Sequence, residues 1–475
     1  MRPMDLAEII AAVGGKRTGG KGATPKVAAV CTDSRTAKAG DLFVAIAGEN
    51  FDGHAFLPQA AAAGCAVAIV SAKAALSSQA AASFPGGLIV VEDTLKALAD
   101  LAAWHRRANP TKVIAVTGSN GKTTVKMMIH HVLSRRFHGS CSPKSFNNNI
   151  GVPLTLLAAA ADDEYVVCEI GSNAPGEIAT LAAIAAPDVA VITSVGPTHL
   201  EKLISVEKVA VEKASILRSL AADGLAVVPT DSPELDKALR PYKVNLVRFG
   251  EADEAEFRLT AYEPCGAGGT RFEVNGQLWV ALPLPGRHNA LNALAAIAVA
   301  NHFGISPAQA AEAMAEFSAA PMRLERIELG GVTVINDAYN ANPASVAAAA
   351  EVLSEAPSEK KAGRKVMIVG DMRELGPAAE TLHAQTGAQI ATRAVDLLVC
   401  VGELGRYIAL GAADSGLEAV AFDTADQAAE ALPKLLRAGD VVLIKGSRAM
   451  GMEKLIEPIR AAFGPHSTAG RSNTH

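Results

Sequence analysis

Residues 115–124 read AVTGSNGKTT, preceded by the apolar run Lys112-Val113-Ile114-Ala115-Val116. Such a run, partly β-branched and bounded by glycine, predicts a buried parallel strand. Gly118-Ser119-Asn120-Gly121 then lets the backbone turn sharply, so that successive N–H groups face phosphate oxygens. Lys122 supplies a point charge to the outer phosphates, and Thr123 a hydroxyl to Mg²⁺. From Thr124 a helix opens, and its N-terminus adds positive partial charge. The string is G-x-x-G-K-T, tighter than the Walker A pattern, because Val116 stands where that pattern has glycine. A strand before and a helix after make phosphate the expected ligand; the plainer alternative is a turn with a solvated lysine.

At 475 residues the chain exceeds one core, and two to four domains are expected. With 49% hydrophobic and 20% charged residues it is globular rather than disordered. Aromatics are 4%, too few for a surface that stacks single-stranded nucleic acid. A net charge of −5 offers no basic field, so neither nucleic acid nor membrane is an expected partner. The six cysteines, at 31, 65, 141, 168, 265 and 400, form no CxxC pair and no zinc spacing, as for free thiols in a reducing compartment. MRPMDLAEII lacks an h-region and a cleavage site, and no apolar run is long enough to span a bilayer. A cytoplasmic location and a monomeric state are the expectation.

Residues 1–92 read as a small α/β domain: a helix over Asp5–Val13 stopped by Gly14-Gly15, strands near Val27–Val30, Gly40–Ile46 and Ala66–Val70, and the turn Thr32-Asp33-Ser34-Arg35. A Ser hydroxyl and an Arg on an inter-strand loop suit a nucleotide's phosphates, although such turns are usually only hydrogen-bonded turns. Residues 93–318 read as the nucleotide domain, with helix Asp93–Arg107 leading to the glycine-turn strand. Three adjacent asparagines, Asn147, Asn148 and Asn149, are costly to bury without partners. Strand Tyr165–Ile170 carries Glu169 at its C-terminal end, where α/β sheets bind ligands and a carboxylate suits Mg²⁺. His199 follows strand Asp188–Val195 in the same way, and Lys213 lies in helix Val206–Leu217. Alternating residues Phe257–Leu284, with turns at Gly268-Gly269 and Asn275-Gly276, predict an antiparallel excursion. Asn289 and Asn292 lie one turn apart where helix Ala293–His302 opens. From 319 to 475 a hairpin across Gly330-Gly331, then strands at Val332–Asn336, Lys365–Val369, Leu397–Val401, Ala419–Phe422 and Val441–Ile444, predict a Rossmann-like unit, with a frayed tail from Gly464.

TGSNGKTT resembles the loop of the Mur ligases and their folylpolyglutamate synthetase relatives, which join a carboxylate to an amine at the expense of ATP. DSR, GDLFVAIAG and FDGH resemble the UDP-binding domain of the Mur ligases that add the third residue and the final dipeptide. FNNNIGVPLTLL, DAYNANP, VGDMRELG and IKGSRAM resemble the branch that adds D-Ala-D-Ala, and the Asp-Asn-Pro-Arg string of the diamino-acid-adding relative is absent. The resemblance covers about residues 25 to 460. It implies three α/β domains and an ATP-dependent ligase whose small-molecule substrates are UDP-MurNAc-tripeptide and D-Ala-D-Ala. It further implies that Ser34 and Arg35 contact the UDP-sugar, and that Asn147, Asn148, Asn149, Asn340 and Asn342 contact substrate. Asn289 and Asn292 would contact ATP, with Arg323 on phosphate and Asp337 on ribose. Thr123, Glu169, His199 and Lys213 would hold Mg²⁺, Lys213 as a CO₂-derived carbamate. Lys122, Glu169, His199 and Lys213 form the expected catalytic set. The rivals are a folylpolyglutamate-type ligase, disfavoured by the DSR-bearing domain, and a nucleotide-gated binding protein without ligation.

Overall fold

The computed structural model describes residues 1–20, 26–48, 51–74, 81–357 and 363–464. Three sheets organise them.

The central sheet has nine strands, and the glycine-turn strand Lys112–Thr117 lies between Tyr165–Glu169 and Val189–Ile192, parallel to both. Its side chains alternate between two cores, as the period of a strand requires. Ile114 and Val116 face the helices Lys122–Leu133 and Arg287–His302, in one cluster with Met128, Ile129 and Leu294. Val113 and Ala115 face the helices Thr94–Ala108, Gly151–Ala158 and Glu177–Ala185, in a cluster with Leu98, Leu156 and Ile178. Each fully buried Ile, Leu or Met contributes about 1.5–3 kcal/mol, so this strand is anchored from both faces. Beyond Val189–Ile192 the sheet continues through Leu225–Pro229 and Asn245–Gly250 to the expected excursion: Phe257–Pro264, Thr270–Val274 and Leu278–Leu282, paired antiparallel.

The N-terminal sheet has five strands. Helix Leu6–Val13 starts in a capping box, Asp5 with Glu8, and ends at Gly14 with φ 64°. Val30–Cys31, Leu42–Val44, Val67–Ser71 and Leu88–Val91 run parallel. Lys16–Thr18 joins antiparallel at one edge. Leu42, Val44, Val67 and Ile69 share a core with the helix Thr94–Ala108 and so bind this unit to the central one.

The C-terminal sheet has six strands: Glu325–Leu329 antiparallel at one edge, then Val332–Asp337, Val441–Lys445, Lys365–Gly370, Leu397–Val401 and Ala419–Phe422, all parallel. This is the expected Rossmann-like alternation. The tail beyond Gly464 lies outside the described residues. Among those residues no helix is long and apolar enough to cross a membrane.

Two helices differ from their expected bounds. The helix expected from Ala293 begins at Arg287, so Asn289 and Asn292 sit inside its first two turns. The one expected over Val206–Leu217 is α-helical only to Ala214, and tightens into 3₁₀ geometry over Ser215–Ser219.

Candidate active site

The carboxyl ends of the central strands open into a cleft of about 1340 Å³, roofed by the C-terminal unit. This is where the strand order reverses around Lys112–Thr117, the usual ligand position in open α/β sheets.

Sequence and packing force the turn. Gly118 has φ 150° and Gly121 φ 81°. A Cβ at Gly118 would overlap Thr193 Oγ1, and one at Gly121 would overlap Asn292 Oδ1. The amides of Ser119 and Asn120, expected to face phosphate, are instead occupied: they donate to Ser194 O and Ser194 Oγ, each at 2.9 Å. Ser119 Oγ is tied to Gly196 and lies 3.1 Å from Thr198 Oγ1. The helix Lys122–Leu133 has no side-chain cap, so the first-turn amides of Lys122, Thr123 and Thr124 are the donors available to an anion.

Lys122 Nζ donates to its own loop, at Gly118 O, 2.7 Å away. Burial lowers its pKa, Glu169 opposes that shift, and Arg323 adds to it. Thr123 Oγ1 donates to Glu169 Oε2 at 2.8 Å and accepts from Arg323 Nη2 at 2.9 Å. Glu169 is 1% exposed, and Asn147 Nδ2 donates to its other oxygen at 2.9 Å. Two oxygen donors of this kind suit a hard divalent cation. His199 has a left-handed backbone, φ 53°, and its Nδ1 pairs with Glu374 of the C-terminal unit. Lys213 is 1% exposed, and among the described residues its Nζ makes one hydrogen bond, to Ser172 Oγ at 3.1 Å. Burial above all, then Lys122, pulls its pKa down to about 7, against Glu212 and Glu177.

The C-terminal unit contributes from above. Arg323 is flanked by two non-glycine residues at positive φ, Met322 (59°) and Leu324 (56°), and stacks 4.2 Å from the ring centre of Tyr339. Backbone strain of this kind persists where a side chain must be aimed. Asp337 and Lys445 end paired strands, with Lys445 Nζ 2.5 Å from Asp337 Oδ2 and 3.0 Å from Asn340 O. Asn342 caps the helix Pro343–Glu355 through Ser345 N, and its Nδ2 donates to Asn120 Oδ1 at 2.7 Å. Asn289 and Asn292 are buried against each other at 3.1 Å.

Of the predicted site residues, the nucleotide, metal and asparagine sets converge here. Gly118 lies beneath the cleft against Thr193, and Lys213 lies behind its wall, on the lining residue Ser172. Asn148 and Asn149 line the cleft, with Asn148 also capping the next helix at Gly151 N, 2.9 Å away. Ser34 and Arg35 stand apart on the N-terminal sheet, where Arg35 pairs with Asp33 at 2.6 Å. Sequence reasoning assigned no role to Tyr339, Glu374, Lys445, the half-buried His288 that lines the cleft, or the buried Lys126. Tyr339, Glu374 and Lys445 lie within the quoted strings DAYNANP, VGDMRELG and IKGSRAM, and Lys126 lies four residues after Lys122 on one helix face.

Fold and site together define a three-unit α/β ligase of the P-loop kind, closed by a Rossmann-like cap. Family models agree: "Mur ligase family, catalytic domain" matches residues 26–106, "Mur ligase middle domain" 116–300, and "Mur ligase, glutamate ligase domain" 322–448. The chain is 37% identical to UDP-N-acetylmuramoyl-tripeptide--D-alanyl-D-alanine ligase of Bacillus subtilis, covering 90% of this chain and 92% of that one. It is 34% identical to the Escherichia coli ligase of the same name, covering 93% and 95%. The crystal structure of MurF from Acinetobacter baumannii superposes with a TM-score of 0.85 at 32% identity, over 97% of this chain and 99% of that one. MurF of Thermotoga maritima in complex with ADP superposes with a TM-score of 0.79 at 28% identity, over 92% and 97%. The chain belongs to the Mur ligase family.

Proposed function

We propose that the chain is the ATP-dependent ligase that joins D-alanyl-D-alanine to UDP-MurNAc-tripeptide, yielding UDP-MurNAc-pentapeptide, ADP and phosphate for peptidoglycan synthesis. The observation that carries this reading is the similarity, over nearly the full length, to two ligases of that name at 37% and 34% identity, together with a cleft in which their chemistry has its parts. We assign residues 1–92 to the UDP-sugar, through Ser34 and Arg35, 93–318 to ATP, and 319–475 to the closing ligase unit.

A carboxylate resists amines because its leaving group would be oxide. One carboxylate oxygen of the tripeptide attacks the γ-phosphorus of ATP; the bond to the β-phosphate oxygen breaks, and ADP leaves with its electrons. The acyl phosphate carries a competent leaving group. The D-Ala-D-Ala amine attacks its carbonyl carbon, and the tetrahedral intermediate expels phosphate as the nitrogen loses a proton. Catalysis of the first step is mainly positioning and charge neutralisation. Lys122, released from Gly118 O, and Arg323, held by Tyr339, meet the γ-phosphoryl group. The first-turn amides hold its neighbour. Asn289 and Asn292 contact the nucleotide, and Asp337 the ribose. Asn147, Asn148, Asn149, Asn340 and Asn342 line the route of the peptide substrates. The cap contacts made by Glu374 and Asn342 exclude water from the acyl phosphate.

Thr123, Glu169, His199 and a carbamylated Lys213 would hold Mg²⁺, which when bound neutralises charge on the phosphates. The buried Lys213, with a hydroxyl partner in Ser172 and a pKa of about 7, has the neutral amine that CO₂ requires. Mass spectrometry of native peptides should find one added CO₂ there; unmodified Lys213 with full activity in CO₂-depleted buffer removes the carbamate from this scheme. The location we propose is cytoplasmic, as a monomer. The deciding assay is phosphate release, expected only when ATP, UDP-MurNAc-tripeptide and D-Ala-D-Ala are present together. Release with folate and glutamate, or with ATP alone, contradicts the reading.

A further inference from the structure

Lys126, buried behind the cleft against Glu169, is a charged group to which the scheme above gives no role. It lies on the helix Lys122–Leu133 and is 1% exposed. Its ammonium donates to Ser142 O at 2.8 Å and to Lys144 O, and stands 3.4 Å from Glu169 Oε2. Three N–H donors meet three acceptors, so the group is saturated. Taking an ammonium out of water is costly, and an apolar side chain of this shape would fill the space without that cost. What the cation adds is its grip on these three acceptors.

The segment that receives it is shaped to do so. Lys144 is a non-glycine residue with φ 45°, left-handed, and its carbonyl is one of the two that Lys126 holds. Ser142 Oγ accepts from Glu169 N at 3.2 Å. Farther along, Asn147 donates to Glu169 Oε1 at 2.9 Å and accepts from Gly171 N at 2.8 Å. Residues 142–149 therefore form a strap pinned at one end by Lys126 and at the other by Glu169. Among the described residues, Ser145 Oγ on this strap is buried at the cleft without a hydrogen-bond partner, a polar group left for a ligand.

The geometry points to Lys126 as a positioning residue: it sets the strap, and through it the affinity for the carboxylate substrate. The inference rests on the functional reading above, in which the strap's asparagines meet the UDP-linked peptide.

Two variants test it from opposite sides. Lys126→Met removes the cation and keeps the shape. Lys144→Pro, at an exposed position with φ forced to about −65°, turns the receiving carbonyl away and leaves the helix and the Lys126–Glu169 pair intact. Both should raise KM for UDP-MurNAc-tripeptide at least tenfold, and Lys144→Pro, which leaves the Lys126–Glu169 pair in place, should keep KM for ATP within threefold of wild type. Calorimetric binding of the UDP-substrate without ATP should weaken in parallel. An unchanged KM for the tripeptide, or in Lys144→Pro an ATP KM that rises as far as that of the tripeptide, overturns the inference. If Lys126→Met does not fold, Lys144→Pro decides alone. Wild-type enzyme that fails to ligate overturns the functional reading instead, so the two failures are distinct.

Discussion

Gly121 shows how little room the phosphate loop leaves. Its φ of 81° disfavours any side chain, and a methyl group there would meet the amide of Asn292. Gly121→Ala should therefore push Asn292 off the loop and weaken ATP binding more than tenfold in a calorimetric titration, with the UDP-substrate affinity unchanged. Lys122 makes a complementary case. In this structure its ammonium rests on Gly118 O, a contact it can exchange for phosphate. Lys122→Ala should lower kcat by about 10²–10³-fold or more, the scale of losing a charge aimed at a transition state. UDP-substrate binding should survive in the same variant; turnover near wild type would show that the loop lysine does not face the transferred group.

At the scale of elements, the helix Pro343–Glu355 carries the closure. Asn342 uses its oxygen to cap that helix at Ser345 N and its nitrogen to reach Asn120 in the phosphate loop, 222 residues away in sequence. The two roles separate by substitution. Asn342→Ala loses both, and should cost about 1 kcal/mol from the missing cap alone. Asn342→Asp keeps the acceptor and loses the donor, so it should unfold like wild type but show a raised KM for ATP. Equal ATP KM values in the two forms would remove the latch. Elements also mark the reach of sequence patterns. The central strand, its helix and the antiparallel excursion were legible because apolar period and glycine turns are local. Lys16–Thr18 was not: it is short, polar and exposed, and becomes a strand only because Leu88–Val91 offers an edge. The early start of the helix Arg287–His302 was hidden in a similar way, since asparagine near a helix start is ordinarily a cap and packing is what buries Asn289 and Asn292 inside the helix.

For the whole molecule, buried histidines tie stability to pH. Burial is the main cause holding His105 and His288 far below the ordinary 6.5, each at about 4. His105 takes a hydrogen bond from Arg2 N and so links the N-terminal unit to the helix Thr94–Ala108. Folded pKa values lie below unfolded ones, so the unfolded chain binds more protons between pH 4 and 6.5. Stability from these groups is complete above the unfolded pKa and is lost as pH falls through this window toward 4. Thermal unfolding at about pH 5 should show a loss on the order of 1 kcal/mol or more per histidine relative to about pH 7. His105→Gln should flatten that dependence, and an unaltered slope would place the titration elsewhere.

Sequence alone determined the phosphate loop, the strand that precedes it and the three-part α/β order, because glycine conformation and apolar period act between near neighbours. It also carried Glu169 and His199 to strand ends, where such sheets bind ligands. Which amides stay free for phosphate, which cation braces Glu169, and which lysine is driven toward neutrality were decided only by the tertiary structure. Hydrogen-bond partners and desolvation depend on what packs alongside, and here the partners come from residues such as Ser194, Ser142 and Arg323, far along the chain from the groups they complete.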